Sequence, residues 1–272
     1  MSAIRRAAAF AALLLLTLNG APAGAGIGDL LVAPQRIVLN GGRGTELILT
    51  NVGDDVATYR ISVEVKRMLP DGSIAEVAEP SPEQAKMRDM ILYAPRRITL
   101  PPDQPQSIRV VARVPQGLPD GEYRVHLLFR AVPAPRPAAP KAGEVKGIAF
   151  EIRPIYGVAI PVIVRLGNLH AQAGIANVRM TSDKGKPAIA MNLSRAGSRS
   201  TYGEVRVLKS GIADPIALQR GVAIYTELAD RKLVIPVDER FAAQASGPVT
   251  VQYIETTEAG PRTIAETRTV LR

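Results

Sequence analysis

The side chains that most often carry chemistry are few in this chain, and they are scattered. Cysteine is absent, which excludes a disulfide framework, thiolate catalysis and cysteine metal sites. His126 and His170 stand far apart with no ligand-spaced companion, so no metal-binding pattern is present and no cofactor is expected. His126 falls inside a strand-like run and reads as structural, while His170 lies in a boundary loop. Ser194, Ser198 and Ser200 flank a glycine but have neither a nucleophile elbow nor a nearby base. Asn40-Gly41-Gly42-Arg43-Gly44 lacks the Lys-Ser/Thr of a phosphate loop and reads as a turn. Asp54-Asp55 reads as a hairpin tip. The paired carboxylates of a cell-wall or polysaccharide hydrolase are not found. The chain reads as a non-enzyme whose chemistry is recognition.

The residues best suited to recognition run from Ile148 to Val164, where Ile148, Phe150, Ile152, Pro154, Tyr156, Val158, Ile160, Val162 and Val164 occupy every even position. A period of two puts successive side chains on opposite faces of a strand, so this reads as one very long strand with an apolar face. Pro154 and Pro161 cannot donate to a ladder, which favours an edge strand. A long apolar edge invites association. It makes sense where presenting that edge to another chain is the task.

The elements around that strand follow from composition. Arg5 and Arg6 precede an apolar run from Ala7 to Leu18, and Ala21-Pro22-Ala23 or Ala23-Gly24-Ala25 gives a small-residue cleavage site. Residues 1–25 therefore read as a cleaved export signal, leaving a soluble chain with no direct membrane insertion. Its loss would lower the formal charge from +9 to +7, since it takes two arginines and no acid. Such a balance favours acidic or apolar partners in a broad sense. Scattered basic residues and few aromatics do not suggest nucleic acid.

Twenty-three glycines and 22 prolines punctuate short β-branched runs, the texture of all-β sandwiches. Expected strands are Leu31 to Leu39, Thr45 to Asn51, Thr58 to Met68, Ile74 to Ala78, Ile91 to Leu100, Gln106 to Val114 and Glu122 to Ala131. Pro82 to Leu92 is a weak amphipathic helix candidate. Val132 to Lys146, rich in proline, reads as an extended mobile loop. Gly167-Asn168 marks a boundary, and the same strand-and-turn texture resumes from Ala176 to Arg272. The fold expected is all-β, with two immunoglobulin-like sandwiches at 26–167 and 168–272, a cleft between them, and the long strand at about 147–165.

Several stretches then resemble the periplasmic pilus chaperones of the PapD-like family. Ala33-Pro34-Gln35-Arg36-Ile37-Val38-Leu39-Asn40-Gly41 is similar to their first strand. Leu100-Pro101-Pro102-Asp103 leading to Ser107-Ile108-Arg109-Val110-Val111 is similar to their Pro-Pro turn and the strand after it. Asp120-Gly121-Glu122 to Val132-Pro133 and Gln252-Tyr253-Ile254-Glu255 to Gly260 also look like family segments, in the family order.

The resemblance implies a periplasmic chaperone that lends its long strand to pilus subunits lacking a final strand, before an outer-membrane usher assembles them. Ile148, Phe150, Ile152 and Tyr156 would be the donor residues. Each apolar side chain fully buried in a subunit groove is worth roughly 1.5–3 kcal/mol. Val158 to Val164 are expected to pack inside the first sandwich. Arg36 matches the family arginine that binds the subunit's C-terminal carboxylate. Pro161 stands where the family has a second anchoring cation, a lysine; Arg153 is a candidate helper. Glu122, Arg165 and Glu255 correspond to an interdomain ion-pair network. A second reading of the same residues is a secreted two-domain adhesion or scaffold protein that keeps its long strand for itself.

Overall fold

The computed structural model describes residues 30–133, 155–257 and 259–272. The export signal, Arg153, and Ile148, Phe150 and Ile152 lie outside the described residues, as does the proline-rich segment after Pro133. No helix among the described residues is long and apolar enough to cross a membrane.

Alternating burial along the strands builds two immunoglobulin-like sandwiches, and the protein is all-β with a cleft between them. In the first, β1 (Leu30–Ala33), β3 (Gly44–Asn51), β9 (Pro105–Ala112) and β7 (Ile91–Ala94) form one sheet in that order. The facing sheet has the order β2 (Ile37–Asn40), β11 (Gly157–Leu166), β10 (Gly121–Val132), β4 (Ala57–Glu64) and β8 (Arg97–Leu100). Leu47, Leu49, Ile108, Leu127, Phe129 and Val162 are fully enclosed between the sheets. Burying such side chains is the main favourable term in folding.

The second sandwich sets β12 (Ala171–Asp183), β13 (Lys186–Gly197) and β16 (Asp230–Pro236) against β15 (Ala217–Ile224), β14 (Thr201–Leu208), β17 (Gly247–Thr257) and β18 (Gly260–Leu271). Its core holds Ile189, Leu193, Val207, Ile235, Val251 and Tyr253. The Tyr253 hydroxyl donates to the Val222 carbonyl at 2.8 Å, and burial pushes its phenol up to about 12.

Three expected single strands are in fact pairs. Thr58 to Met68 divides at Val65 into β4 and β5 (Lys66–Met68), which leaves the sandwich to pair with a strand of its own. Leu31 to Leu39 divides at Pro34–Arg36, so that β1 and β2 lie in different sheets. Ile91 to Leu100 divides likewise at Pro95 and Arg96 into β7 and β8. Proline supplies no ladder donor, so the chain leaves one sheet there and joins the other. The helix candidate is real but short: α1 (Pro82–Asp89) is closed by a Ser81–Gln84 capping box and buries no residue completely. A side-chain oxygen on the cap satisfies N–H groups that the helix itself cannot.

The hairpin of β5 (Lys66–Met68) and β6 (Ile74–Glu76) reaches from the first sandwich onto the second. Its tip contacts the second sandwich through the Pro70 carbonyl, which accepts from the Lys232 N–H at 2.7 Å. Met68 joins Ile163, Ala223 and Tyr225 in a small apolar cluster at the seam.

Candidate functional site

The long strand is only partly an edge. β10 pairs with β11 along its whole length, Arg130↔Gly157 to Gly121↔Leu166. On the other side β2 runs parallel to it, but only from Val162↔Ile37 to Arg165↔Asn40. Gly157 to Pro161 therefore keep an edge that no other strand among the described residues covers. The reason is the sheet switch at Pro34–Arg36, which brings β2 in late.

Ile160, Val162 and Val164 point into the first core, with Val158 packed against it. Tyr156 precedes the strand, 55% exposed, and its carbonyl accepts from the Ala131 N–H at 2.9 Å. The opposite face, at odd positions, is not idle. Ile163 is fully buried in the seam against the second sandwich.

Arg36 stands at the end of that open edge, one step before the Ile37↔Val162 pair and so beside Pro161. Its guanidinium lies over the Tyr202 ring at 4.5 Å. Nε and one terminal nitrogen are buried without a hydrogen-bond partner among the described residues. Burial lowers its pKa from the ordinary arginine value, and the neighbouring Arg165 adds to that. Arginine still keeps its proton at any working pH. The result is a largely desolvated positive charge with two nitrogens that make no hydrogen bond among the described residues, a costly arrangement.

Around it is a cleft of about 520 Å3 lined by Arg36, Arg165, Arg199, Tyr202, Glu255 and neighbouring loop residues. Three arginines meet there, but two are already neutralised. Arg165 donates to Glu122 at 2.9 Å, the two being cross-strand neighbours in the β10–β11 ladder. Arg199 grips Glu255 through both carboxylate oxygens, at 2.7 and 2.9 Å. That bond raises the Arg199 pKa.

The expected network of Glu122, Arg165 and Glu255 therefore differs from the structure. The carboxylates form two pairs, each inside its own sandwich, because Glu122 already has Arg165 opposite it in register and Arg199 is the cation nearest Glu255. Among the described residues the ion pair that crosses the seam is Arg124 with Glu227. Arg124 also stacks on Tyr225 at 3.7 Å and donates to the Lys66 carbonyl at 3.1 Å. Glu227 accepts from the Met68 N–H at 2.8 Å as well.

Sequence reasoning missed Arg199, Arg124, Glu227 and both tyrosines. Alternation along β10 could have flagged Arg124, which shares a face with Glu122. Nothing local pointed to Tyr202 or Tyr225. Among the described residues no group of three or more metal-ligating side chains gathers.

No protein-family model matches the chain, and no curated protein matches it. Among solved structures it is similar to the SafB chaperone of Salmonella enterica, solved in complex with the SafA pilin, at 17% identity and TM-score 0.47 over 91% of this chain and 99% of that one. It is similar to the CupB2 chaperone of Pseudomonas aeruginosa at 12% identity and TM-score 0.47, over 89% of this chain and 100% of that one. The E. coli chaperone DraB is similar at 14% identity and TM-score 0.44, over 92% of this chain and 99% of that one.

Proposed function

We propose that this protein is a non-enzymatic assembly chaperone, exported to the periplasm with a cleaved signal, that holds pilin-like subunits lacking a final strand until an outer-membrane usher takes them. The observation that carries this reading is the open edge of Gly157–Pro161 ending at an unpaired, desolvated arginine. An incomplete sandwich offers unpaired backbone and an apolar groove, and a lent strand answers both by β-augmentation. The run from Ile148 to Tyr156 continues that edge in sequence, with Ile148, Phe150, Ile152 and Tyr156 as the alternating donor side chains. Arg36 supplies the fixed charge for the subunit's terminal carboxylate. A charge-assisted hydrogen bond of this kind is worth about 1.5–3 kcal/mol, enough to set the register of the lent strand.

Pro161 matters to this reading. The second cation expected at its position is missing, and Arg165 and Arg199 are each held by a carboxylate. Arg36 then acts alone, held against an aromatic ring instead of beside a second positive charge.

Affinity purification from periplasmic extract, with mass-spectrometric identification of what is bound, tests the proposal. Wild type should retain pilin-like subunits that lack a final strand. Arg36→Ala should lose them while remaining folded. Phe150→Asp with Ile152→Asp should lose them too, because an unpaired carboxylate in an apolar groove is costly. If the double variant unfolds by itself, that face belongs to the chain's own core and the scaffold reading gains.

A further inference from the structure

Away from the cleft, sheet pairing aligns three arginines in a single row. Arg130 on β10 faces Arg60 on β4, and Arg60 faces Arg97 on β8. All three are exposed on the outer side of the sheet. Like charges directly opposite each other destabilise a sheet. Arg130 approaches Glu64 only at 3.9 Å, and Glu64 is already paired with Lys66 at 2.8 Å. Arg60 and Arg97 have no carboxylate partner among the described residues.

The row borders a recess of about 610 Å3 whose lining includes Arg60, Arg97, Arg88, Arg96, Ser62 and Tyr93. Its single carboxylate, Asp89, is taken by Arg88 at 2.9 Å. Arg96 rests over the Tyr93 ring at 5.5 Å. β8 pairs with β4 only from Ala57 to Arg60, so Ser62 and Val63 run on beside the recess with no partner strand on that side among the described residues. Guanidinium forks, a hydroxyl and unladdered backbone converge on one hollow with a surplus of positive charge.

We infer that this recess binds a ligand carrying clustered phosphates, either a free oligophosphate or a lipid head group. Phosphate matches the planar fork of arginine in a bidentate way. Two adjoining phosphates carry enough charge to answer several guanidinium groups at once, whereas one carboxylate answers only one. A nucleic-acid strand fits poorly, because the one aromatic ring in the recess is already covered by Arg96 and offers no stacking platform.

Calorimetric titration of the full exported chain with sodium tripolyphosphate, in buffers brought to equal ionic strength with sodium chloride, tests this. Wild type should bind at one site. Arg60→Gln and Arg97→Gln should each weaken binding about tenfold or more. Arg262→Gln, which removes an exposed arginine of the second sandwich, should leave it unchanged. Without ligand, Arg60→Gln should melt no lower than wild type, since it breaks the like-charge row. Absence of binding, equal weakening in Arg262→Gln, or a lower melting point of Arg60→Gln overturns the inference.

Sedimentation with phosphatidylcholine vesicles, with and without diphosphorylated lipid A, separates the sources. Wild type pelleting only with the phosphorylated vesicles, and Arg60→Gln not pelleting, identifies a head group. Tripolyphosphate binding without pelleting identifies a free oligophosphate.

Discussion

Two arginines of the first sandwich lie on tyrosine rings of the second, and they differ in what else they touch. Arg124 sits 3.7 Å from Tyr225, with Glu227 and the Lys66 carbonyl as partners. Arg36 sits 4.5 Å from Tyr202, with two of its nitrogens buried and without a hydrogen-bond partner among the described residues. The ring contact is common to both, so it cannot be what sets their roles. Arg124 spends its charge on a carboxylate across the seam and fastens the sandwiches together. Arg36 has no carboxylate partner among the described residues, and in the proposed function it is the one that receives. The same side chain at the same seam is paired or left without a carboxylate according to whether an acid lies within reach, and the proposed function makes the second a receptor.

The largest effect that sharpens this comparison is a pH effect on the fastened side. His126 shares a face of β10 with Arg124 and is 3% exposed. Burial, with Arg124 and Lys66 adding to it, lowers its pKa to about 3, against about 6.5 for a histidine in an unfolded chain. Between those values the unfolded chain takes up a proton that the folded chain refuses. Stability from this group is thus complete above about pH 6.5 and falls as pH drops toward 3, by about 3 kcal/mol at pH 4. Urea melts at pH 7 and pH 4 should show the loss in wild type and a smaller one in His126→Leu. Equal losses in the two proteins would mean that a group other than His126 takes up the proton.

Next in size is Arg124→Ala. It leaves Glu227 with the Met68 N–H but no cation, takes the Arg124 donor from the Lys66 carbonyl and strips the cation from Tyr225. Breaking a largely buried pair by removing one partner is strongly destabilising. Glu227 keeps some solvent contact, with 32% of its side chain exposed, so a loss of about 2 kcal/mol is expected rather than the full buried-pair cost. Equilibrium unfolding in urea at pH 7 measures it. No loss would mean that the seam is held without this pair, by the apolar cluster around Met68 and Ile163 and the Pro70–Lys232 hydrogen bond.

How much of this was legible in the chain depends on the range of the interaction. Local signals read well: the expected strand ends at Met68 and Ile74 flank the β5–β6 turn, and the expected Thr45 to Asn51 falls within β3. A strand that changes sheets does not read well: across Pro34–Arg36 the buried positions move from even (Val32) to odd (Ile37, Leu39), but nothing local says that the chain has crossed to the facing sheet. The edge of β11 was overestimated for a related reason. Whether a strand is covered depends on where β2 arrives, and that is a property of topology rather than of β11. In the cleft, Arg36, Glu122, Arg165 and Glu255 could be singled out by their place in strands. Their partners could not, since Arg199 lies in a turn and Tyr202 and Tyr225 become neighbours only when the second sandwich docks.

A smaller effect tests the ring beneath Arg36, and it rests on the carboxylate-anchor reading. A cation over an aromatic face gains about 0.5–1 kcal/mol at a partly exposed site. Tyr202→Leu should therefore weaken subunit binding by only a few fold, through a less well-held Arg36. Tyr202→Phe keeps the ring face and should bind as wild type does. If Phe fails as Leu does, the hydroxyl rather than the ring is what the site uses. Competition between the variants for a limiting amount of subunit resolves differences of this size.

The smallest effect expected is the most telling for the comparison: the stability of Arg36→Met. Removing Arg124 orphans an acid, but removing Arg36 orphans nothing, since no carboxylate or carbonyl among the described residues depends on it. The folded protein bears the cost of keeping this charge partly out of water and offsets it only in part, through the Tyr202 face and the more distant Tyr225 and Glu122. Replacing a poorly compensated buried charge by an apolar side chain of similar length is often neutral or stabilising. Arg36→Met should thus unfold within about 0.5 kcal/mol of wild type, or slightly above it, while losing its subunit. A protein that is no less stable without a residue that its binding requires is what a receptor predicts, since the compensating charge arrives with the ligand. A loss comparable to that of Arg124→Ala would make Arg36 a second fastener, and the distinction between the two arginines would collapse.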